Sequence, residues 1–285
     1  MKTIKVGGVP EHFNLPWHLC IDDGTFRRNN LDVKWRDFPD GTGAMCKALR
    51  NKEIDAAVIL TEGIVKDILN GNNVKIVQEY IASPLIWGIH VAANSPYRRL
   101  DDLKNTKVAI SRYGSGSHLM AYVNAKNLGW DPAELEFEVV GDINGAIEAL
   151  QAGKAGYFMW EHFTTKPLVD KGIFRRLADC PTPWSCFVIA VREDFIDRNP
   201  AAMQTMLHTL NEVTARFKEI PGIESALAKK YDQKLEDIKQ WLKITTWSQK
   251  QISVMEINKV QEQLEELGLI SEKKENAFFL ANHWS

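Results

Sequence analysis

The chain predicts an α/β protein of two similar halves followed by a helical tail, and three observations carry that prediction. The order strand-helix, three times over, runs through residues 2–69 and returns in residues 107–160. A local match accompanies it, Ala48-Leu49-Arg50-Asn51-Lys52-Glu53-Ile54-Asp55 against Ala149-Leu150-Gln151-Ala152-Gly153-Lys154-Ala155-Gly156. After Asn199-Pro200 the alternation gives way to long helical periodicity. Strands separated by helices cannot be joined as hairpins, so each half should hold a mostly parallel sheet covered by helices.

Lys2–Val9 alternates as a strand, Trp17–Asn29 supports a helix, and Leu31–Phe38 alternates again. The turn Pro39-Asp40-Gly41-Thr42-Gly43 opens a helix to about Asn51, with Asp40 or Thr42 as its expected cap. Ile54–Leu60 is the third strand, and Thr61-Glu62-Gly63 starts a helix with Ile64, Val65, Ile68 and Leu69 on one side. In the second half the strands are Lys107–Ser111, Leu135–Val140 and Gly156–Trp160, and the helices are Ser117–Leu128 and Ala146–Ala152. Trp87–Asn94 and Phe187–Val191 read as extended segments that carry the chain between the halves. The tail reads as helices over Ala201–Ile220, Ile223–Lys230, Leu235–Leu242 and Gln249–Leu267, scaffold without chemistry of its own.

The 285 residues suit about two domains, and 45% hydrophobic content supplies a core. With 35 Lys+Arg against 37 Asp+Glu, no global field recruits nucleic acid or an anionic membrane. No apolar run approaches the ~20 residues of a bilayer span, so membrane insertion is not expected. No apolar signal region follows Met1, which makes the cytoplasm the expected compartment, or the periplasm had a signal been removed. Cys20, Cys46, Cys180 and Cys186 show no paired spacing and read as small core residues.

The most informative stretch is Ser111-Arg112-Tyr113-Gly114-Ser115-Gly116-Ser117-His118. Its glycines permit a tight turn and its serines offer hydroxyls. The helix that follows presents free N–H groups, a favourable place for a carboxylate, phosphate or sulfonate that Arg112 would strengthen. It lies after the second half's first strand, and open α/β sheets bind ligands at the carboxyl ends of strands. Gly41-Thr42-Gly43 and Thr61-Glu62 occupy the matching helix entrances after the second and third strands; turn chemistry accounts for each singly, but together with Ser115 they converge on a binding role. Glu11, His12, Asn14 and Trp17 follow the first strand, the remaining position of that kind. Trp87, Trp160 and Trp184 stand at strand ends or connections, where Trp87 and Trp160, with Glu161 beside the latter, would wall a flat or cationic group.

Three further stretches carry a family resemblance. Asp22-Asp23-Gly24-Thr25-Phe26-Arg27-Arg28-Asn29-Asn30-Leu31-Asp32-Val33 is similar to a G-x-F-x-x-x-G-L-x-V pattern in which Asn30 replaces the usual glycine. Leu100-Asp101-Asp102-Leu103-Lys104-Asn105-Thr106-Lys107-Val108-Ala109 is similar to L-x-D-L-K-G-K-x-V-A. Val9-Pro10-Glu11-His12-Phe13 and Pro84-Leu85-Ile86-Trp87 have counterparts in a cytosolic subgroup, found in fungi and bacteria, of unassigned ligand. The chain so resembles the type II periplasmic-binding-protein superfamily, in its thiamine-pyrimidine, sulfonate and nitrate branch. The resemblance implies two lobes, residues 1–92 with 190–285 and residues 93–189, the helical tail packing on the first. It also implies a solute bound in the cleft with hinge closure, and an ABC-transporter permease as the partner where the role is transport.

No GxSxG, HExxH, Walker or dinucleotide motif appears, and Glu62, Glu161, His12 and His118 form no pair whose spacing demands acid–base work. His12 and His18 lack the spacing of helix-face metal ligands. The expectation is therefore a non-enzymatic binder of a small anionic, zwitterionic or heteroaromatic solute, with no cofactor and no metal. The alternative is a thiamine-pathway pyrimidine synthase-like enzyme with His12 as its base, against which stands the absence of that branch's cysteine-rich run.

Overall fold

The computed structural model describes residues 1–281. The chain forms two compact units, the first made of residues 1–84 and 184–285, the second of residues 85–183.

The first unit starts with β1 (Lys2–Gly8), α1 (Leu15–Asp22), the single turn α2 (Thr25–Arg28), β2 (Leu31–Asp37), α3 (Thr42–Arg50), β3 (Ala56–Leu60), α4 (Thr61–Leu69) and β4 (Val74–Ile81). The second contains β5 (Ile86–Ala92), β6 (Val108–Ile110), α5 (Gly116–Asn127), β7 (Phe137–Val139), α6 (Ile143–Gln151), β8 (Tyr157–Glu161), α7 (His162–Asp170) and β9 (Phe174–Pro181). The chain returns to the first unit with β10 (Phe187–Arg192), α8 (Glu193–Arg198), α9 (Pro200–Thr214), α10 (Ile223–Lys230), α11 (Leu235–Ile244) and α12 (Val254–Glu266).

Each unit holds one five-stranded sheet, in the orders β2-β1-β3-β10-β4 and β7-β6-β8-β5-β9. Three strands in each run parallel, joined through helical crossovers. The segments expected to carry the chain between the halves are instead central strands: β10 lies antiparallel between β3 and β4, and β5 antiparallel between β8 and β9. Their near-continuous apolar runs, Phe187-Val188-Ile189-Ala190-Val191 and Ile89-His90-Val91-Ala92, are the composition of a strand covered on both faces.

The internal match is a match of hydrogen bonds. After α3 and α6 the chain stops in the same way, with Glu53 N–H donating to the Ala48 carbonyl at 2.9 Å and Lys154 N–H to that of Ala149 at 2.9 Å. The left-handed residue that turns the chain is Lys52 (φ 60°) in one and Gly153 (φ 68°) in the other. Asn30, where the pattern it resembles has glycine, likewise takes φ 59°, a conformation asparagine tolerates better than most residues.

The tail packs on the first unit but is less helical than its periodicity predicts. Residues 246–250 run extended along β4: Ala82 N–H donates to the Thr246 carbonyl at 2.8 Å, Ser248 N–H to that of Tyr80 at 3.0 Å and Glu79 N–H to that of Lys250 at 2.9 Å. An edge strand's open backbone groups are thereby satisfied, which outweighs local helix propensity. α12 accordingly starts at Val254, with Ser253 as its cap.

Candidate functional site

The first unit seals most of the side chains that its sequence offered for binding. β1 delivers His12 into a ring cluster, its imidazole centroid 4.9 Å from Phe13 and 4.2 Å from Trp241. Burial drives its pKa down to about 3, so the ring is neutral at physiological pH and shut in by aromatics. Trp17 is 0% exposed and packs against Phe26, Trp35 and Tyr80, a core residue and not a wall for a ligand. Asn14 is buried as well, its Nδ2 donating to the Val9 carbonyl at 2.8 Å. Glu11 is half-buried.

After β2 the chain turns at Gly41 (φ 70°), and neither Asp40 nor Thr42 caps α3: the N-cap position is Gly41 itself. After β3 the N-cap of α4 is Leu60, again without a side-chain acceptor. These two entrances do converge. A Cβ added to Gly63 would stand 2.3 Å from the Thr42 methyl, so glycine there is what lets the first turns of α3 and α4 touch. Gly43 is exposed beside them. Thr61 donates through Oγ1 to the Ser185 carbonyl at 2.5 Å. Glu62, 2% exposed, accepts from Trp184 Nε1 at 2.8 Å through one oxygen and has no partner on the other. Burial pushes its carboxyl up to about 7, against the pull of its own backbone N–H and of Trp184.

The second unit closes its helix entrances with side chains. Asp142 caps α6 by accepting from the N–H groups of Asn144 and Gly145, at 2.9 and 3.0 Å. Glu161 caps α7 by accepting from Thr164 N–H at 2.6 Å. Burial raises its carboxyl above the ordinary range, while the hydrogen bonds to Thr164 work the other way. Glu161 is thus occupied by the fold. α5 alone is capped by a neutral group: Ser115 Oγ accepts from His118 N–H at 3.3 Å.

Around that cap lies a set of hydroxyls. Ser115 and Ser117 Oγ are 3.0 Å apart, and Ser117 Oγ accepts from Ser111 N–H at 3.0 Å. Gly114 (φ 77°) turns the chain and donates its N–H to His118 Nδ1 at 3.1 Å. His118 therefore acts as a turn-builder, its ring 4.7 Å from Phe137 and 5.0 Å from Tyr122. Arg112 is half-buried, and Gly116 begins the helix. Trp160 is partly exposed, stacked at 5.3 Å on Phe158, with the buried Trp87 edge-on to it at 6.4 Å.

Sequence reasoning missed one pair. His162, the first residue of α7, hydrogen-bonds through Nδ1 to Asp179 Oδ1 on β9 at 2.9 Å. No motif flags two residues 17 apart; only the presence of β9 beside β5 brings them together. Among the described residues no His, Cys, Asp and Glu cluster could hold a metal ion, and all four cysteines are buried and free. No described helix is long and apolar enough to cross a membrane.

Residues 87–180 match the family described as Ca3427-like PBP. The conserved Candida albicans CA3427 gene product, described as defining a new family with the generic periplasmic binding protein fold, is similar over 96% of this chain and 92% of its own. Identity to it is 26% and the TM-score is 0.87. The aliphatic sulphonate binding protein SsuA of Escherichia coli shares the fold at 19% identity and a TM-score of 0.75, covering 97% of this chain and 96% of that one. The alkanesulfonate-binding protein SsuA of Xanthomonas axonopodis pv. citri, bound to MOPS, shares it at 16% identity and a TM-score of 0.80, covering 95% of each chain. No curated protein matches at the sequence level.

Proposed function

We propose that this chain, whose fold is that of the periplasmic binding proteins, binds a small anionic or zwitterionic solute and releases it unchanged. The observation that carries the reading is the neutral serine cap of α5. In the second unit the entrances of α6 and α7 already hold carboxylates, Asp142 and Glu161, which repel an anion and use up the N–H groups. The turn Gly114–Ser117 is capped by a hydroxyl instead, which leaves the helix's partial positive charge uncompensated, and the buried Ser115 and Ser117 hydroxyls beside it can donate as well as accept. An anion there gains ~0.3–1 kcal/mol when exposed and up to ~2 when partly buried. The partly exposed Trp160 offers the rest of the molecule a flat apolar surface. Glu161, at a neighbouring helix entrance of the same unit, disfavours a multiply charged anion, which leaves a solute with one acidic group. Support for binding without conversion comes from His12, the base of the alternative enzyme reading, being neutral and enclosed by Phe13 and Trp241.

The test replaces the ligand's charge with the protein's own. Ser115→Asp puts a carboxylate where the anion should sit, and calorimetric titration with ethanesulfonate should show at least tenfold weaker binding, about 1.4 kcal/mol. Undiminished affinity in a variant with native circular dichroism moves the anion away from this turn.

A further inference from the structure

We infer that His162, held by Asp179, reads the other end of the solute: its Nε2 accepts a hydrogen bond from an amino or hydroxyl group a few bonds from the anion. This inference rests on the anion lying at the Ser115 turn. The two places are neighbours in the fold. β6 and β8 are adjacent and parallel, in the register Val108↔Tyr157 and Ala109↔Phe158, so Ser111 and His162 leave the same end of the sheet from strands ~4.8 Å apart.

The pair's chemistry fixes which ring nitrogen is available. The Asp179 carboxyl lies below its ordinary range; burial opposes this, but the hydrogen bond from His162 and the nearby charge of Arg176 prevail. An ionised carboxylate only accepts, so this hydrogen bond puts a proton on Nδ1, and the uncharged form of the ring then has its lone pair on Nε2. The ring's main chain is also fixed: the His162 carbonyl accepts from Arg176 Nη1 and from Thr165 Oγ1, each at 3.2 Å. His162 keeps 16% of its side chain exposed, and Nε2 has no hydrogen-bond partner among the described residues.

The first unit shows how this position looks when it serves the fold alone. There the residue after the third strand is Thr61, 0% exposed, its hydroxyl spent on the Ser185 carbonyl. The residue matching Asp179 is Glu79, which accepts from Ser185 Oγ at 2.5 Å. A staple between the third strand and the edge strand therefore needs no imidazole. The second unit has one, oriented by a carboxylate and with an acceptor left over. The solute class this fits is a short acid bearing an amino or hydroxyl donor, such as a β-amino or β-hydroxy sulfonic acid.

Taurine, isethionate and ethanesulfonate share a sulfonate and a two-carbon chain and end in ammonium, hydroxyl and methyl. In calorimetric titration of the full chain, taurine and isethionate should bind at least tenfold tighter than ethanesulfonate. In His162→Phe and His162→Gln, the three should bind within a factor of about three of one another. Asp179 is a positioning residue, read by two-bond 1H–15N spectra of the imidazole: the Nδ1–H form in the native protein, its loss in Asp179→Asn, and with it the loss of the donor preference. Native-like preference in both His162 variants, or an Nε2–H ring in the unaltered protein, overturns the inference. Ethanesulfonate binding as tightly as its donor-bearing analogues overturns it while the anion reading stands. Failure of all three to bind removes both.

Discussion

The two units share one sheet order and one set of chain turns, yet they close their helix entrances by opposite means. In the second, Ser115, Asp142 and Glu161 each cap a helix with a side-chain oxygen. In the first, the matching helices α1, α3 and α4 begin at Asn14, Gly41 and Leu60, none of which makes a side-chain cap. The first unit instead spends its residues on packing: His12 under Trp241, Trp17 among three rings, and Glu62 buried where the second unit has Phe163. Two copies of a scaffold thus separate two tasks. One carries the ring cluster and an acid buried against Trp184, while the other carries side-chain caps, the buried Ser115 and Glu161 among them, and an oriented imidazole.

Deleting the first unit's ring cluster should have the largest effect. Trp241 is 1% exposed and meets His12, Phe13 and Trp247, so Trp241→Ala is expected to cost ~3–5 kcal/mol in urea unfolding. A loss below about 1 kcal/mol would show that this region is not the core it resembles.

Next comes the buried acid. Glu62 titrates at about 7 in the folded chain against about 4.5 when unfolded, so the folded state binds the extra proton between those values. Stability from this group is fully present below pH 4.5, falls as pH rises toward 7, and stays lost above it. Glu62→Gln keeps an acceptor for Trp184 and should flatten that decline, gaining roughly 3 kcal/mol at about pH 8. An unchanged slope between about pH 5 and 7 would mean the carboxyl is ionised throughout.

The contact between the α3 and α4 entrances can be broken and mended. Gly63→Ala places a methyl 2.3 Å from the Thr42 methyl and should destabilise by ~1–3 kcal/mol. Thr42→Ser removes the opposing carbon and should recover most of the loss, which a cause other than that contact would not allow. The smallest effect belongs to the second unit's rim. Asp142→Ala removes a cap with two hydrogen bonds and should cost ~1 kcal/mol, measured by thermal unfolding, whereas Asp40→Ala, beside an entrance it does not cap, should cost less than half of that.

Local rules make much of this protein legible in the amino-acid sequence. Alternation marks β1 and β2, and apolar runs mark the central strands; α10 spans Ile223–Lys230 as its periodicity predicts; and the likeness of residues 48–55 to 149–156 corresponds to two turns with the same hydrogen bonds. The serine-glycine turn before α5 is likewise visible, because φ > 0 at Gly114 and a cap at Ser115 are demands that neighbouring residues impose on one another. Only the tertiary structure decides that β10 and β5 insert antiparallel into the two sheets, that residues 246–250 leave helix to cover β4, and that Trp184 meets Glu62 across 122 residues. It also decides that His12 is sealed while His162 is presented. Strand partners and side-chain exposure depend on which distant segment buries a group, and the energy of that burial, ~25 cal/mol per Å² of apolar surface, outweighs the tenths of a kcal/mol by which local propensity speaks.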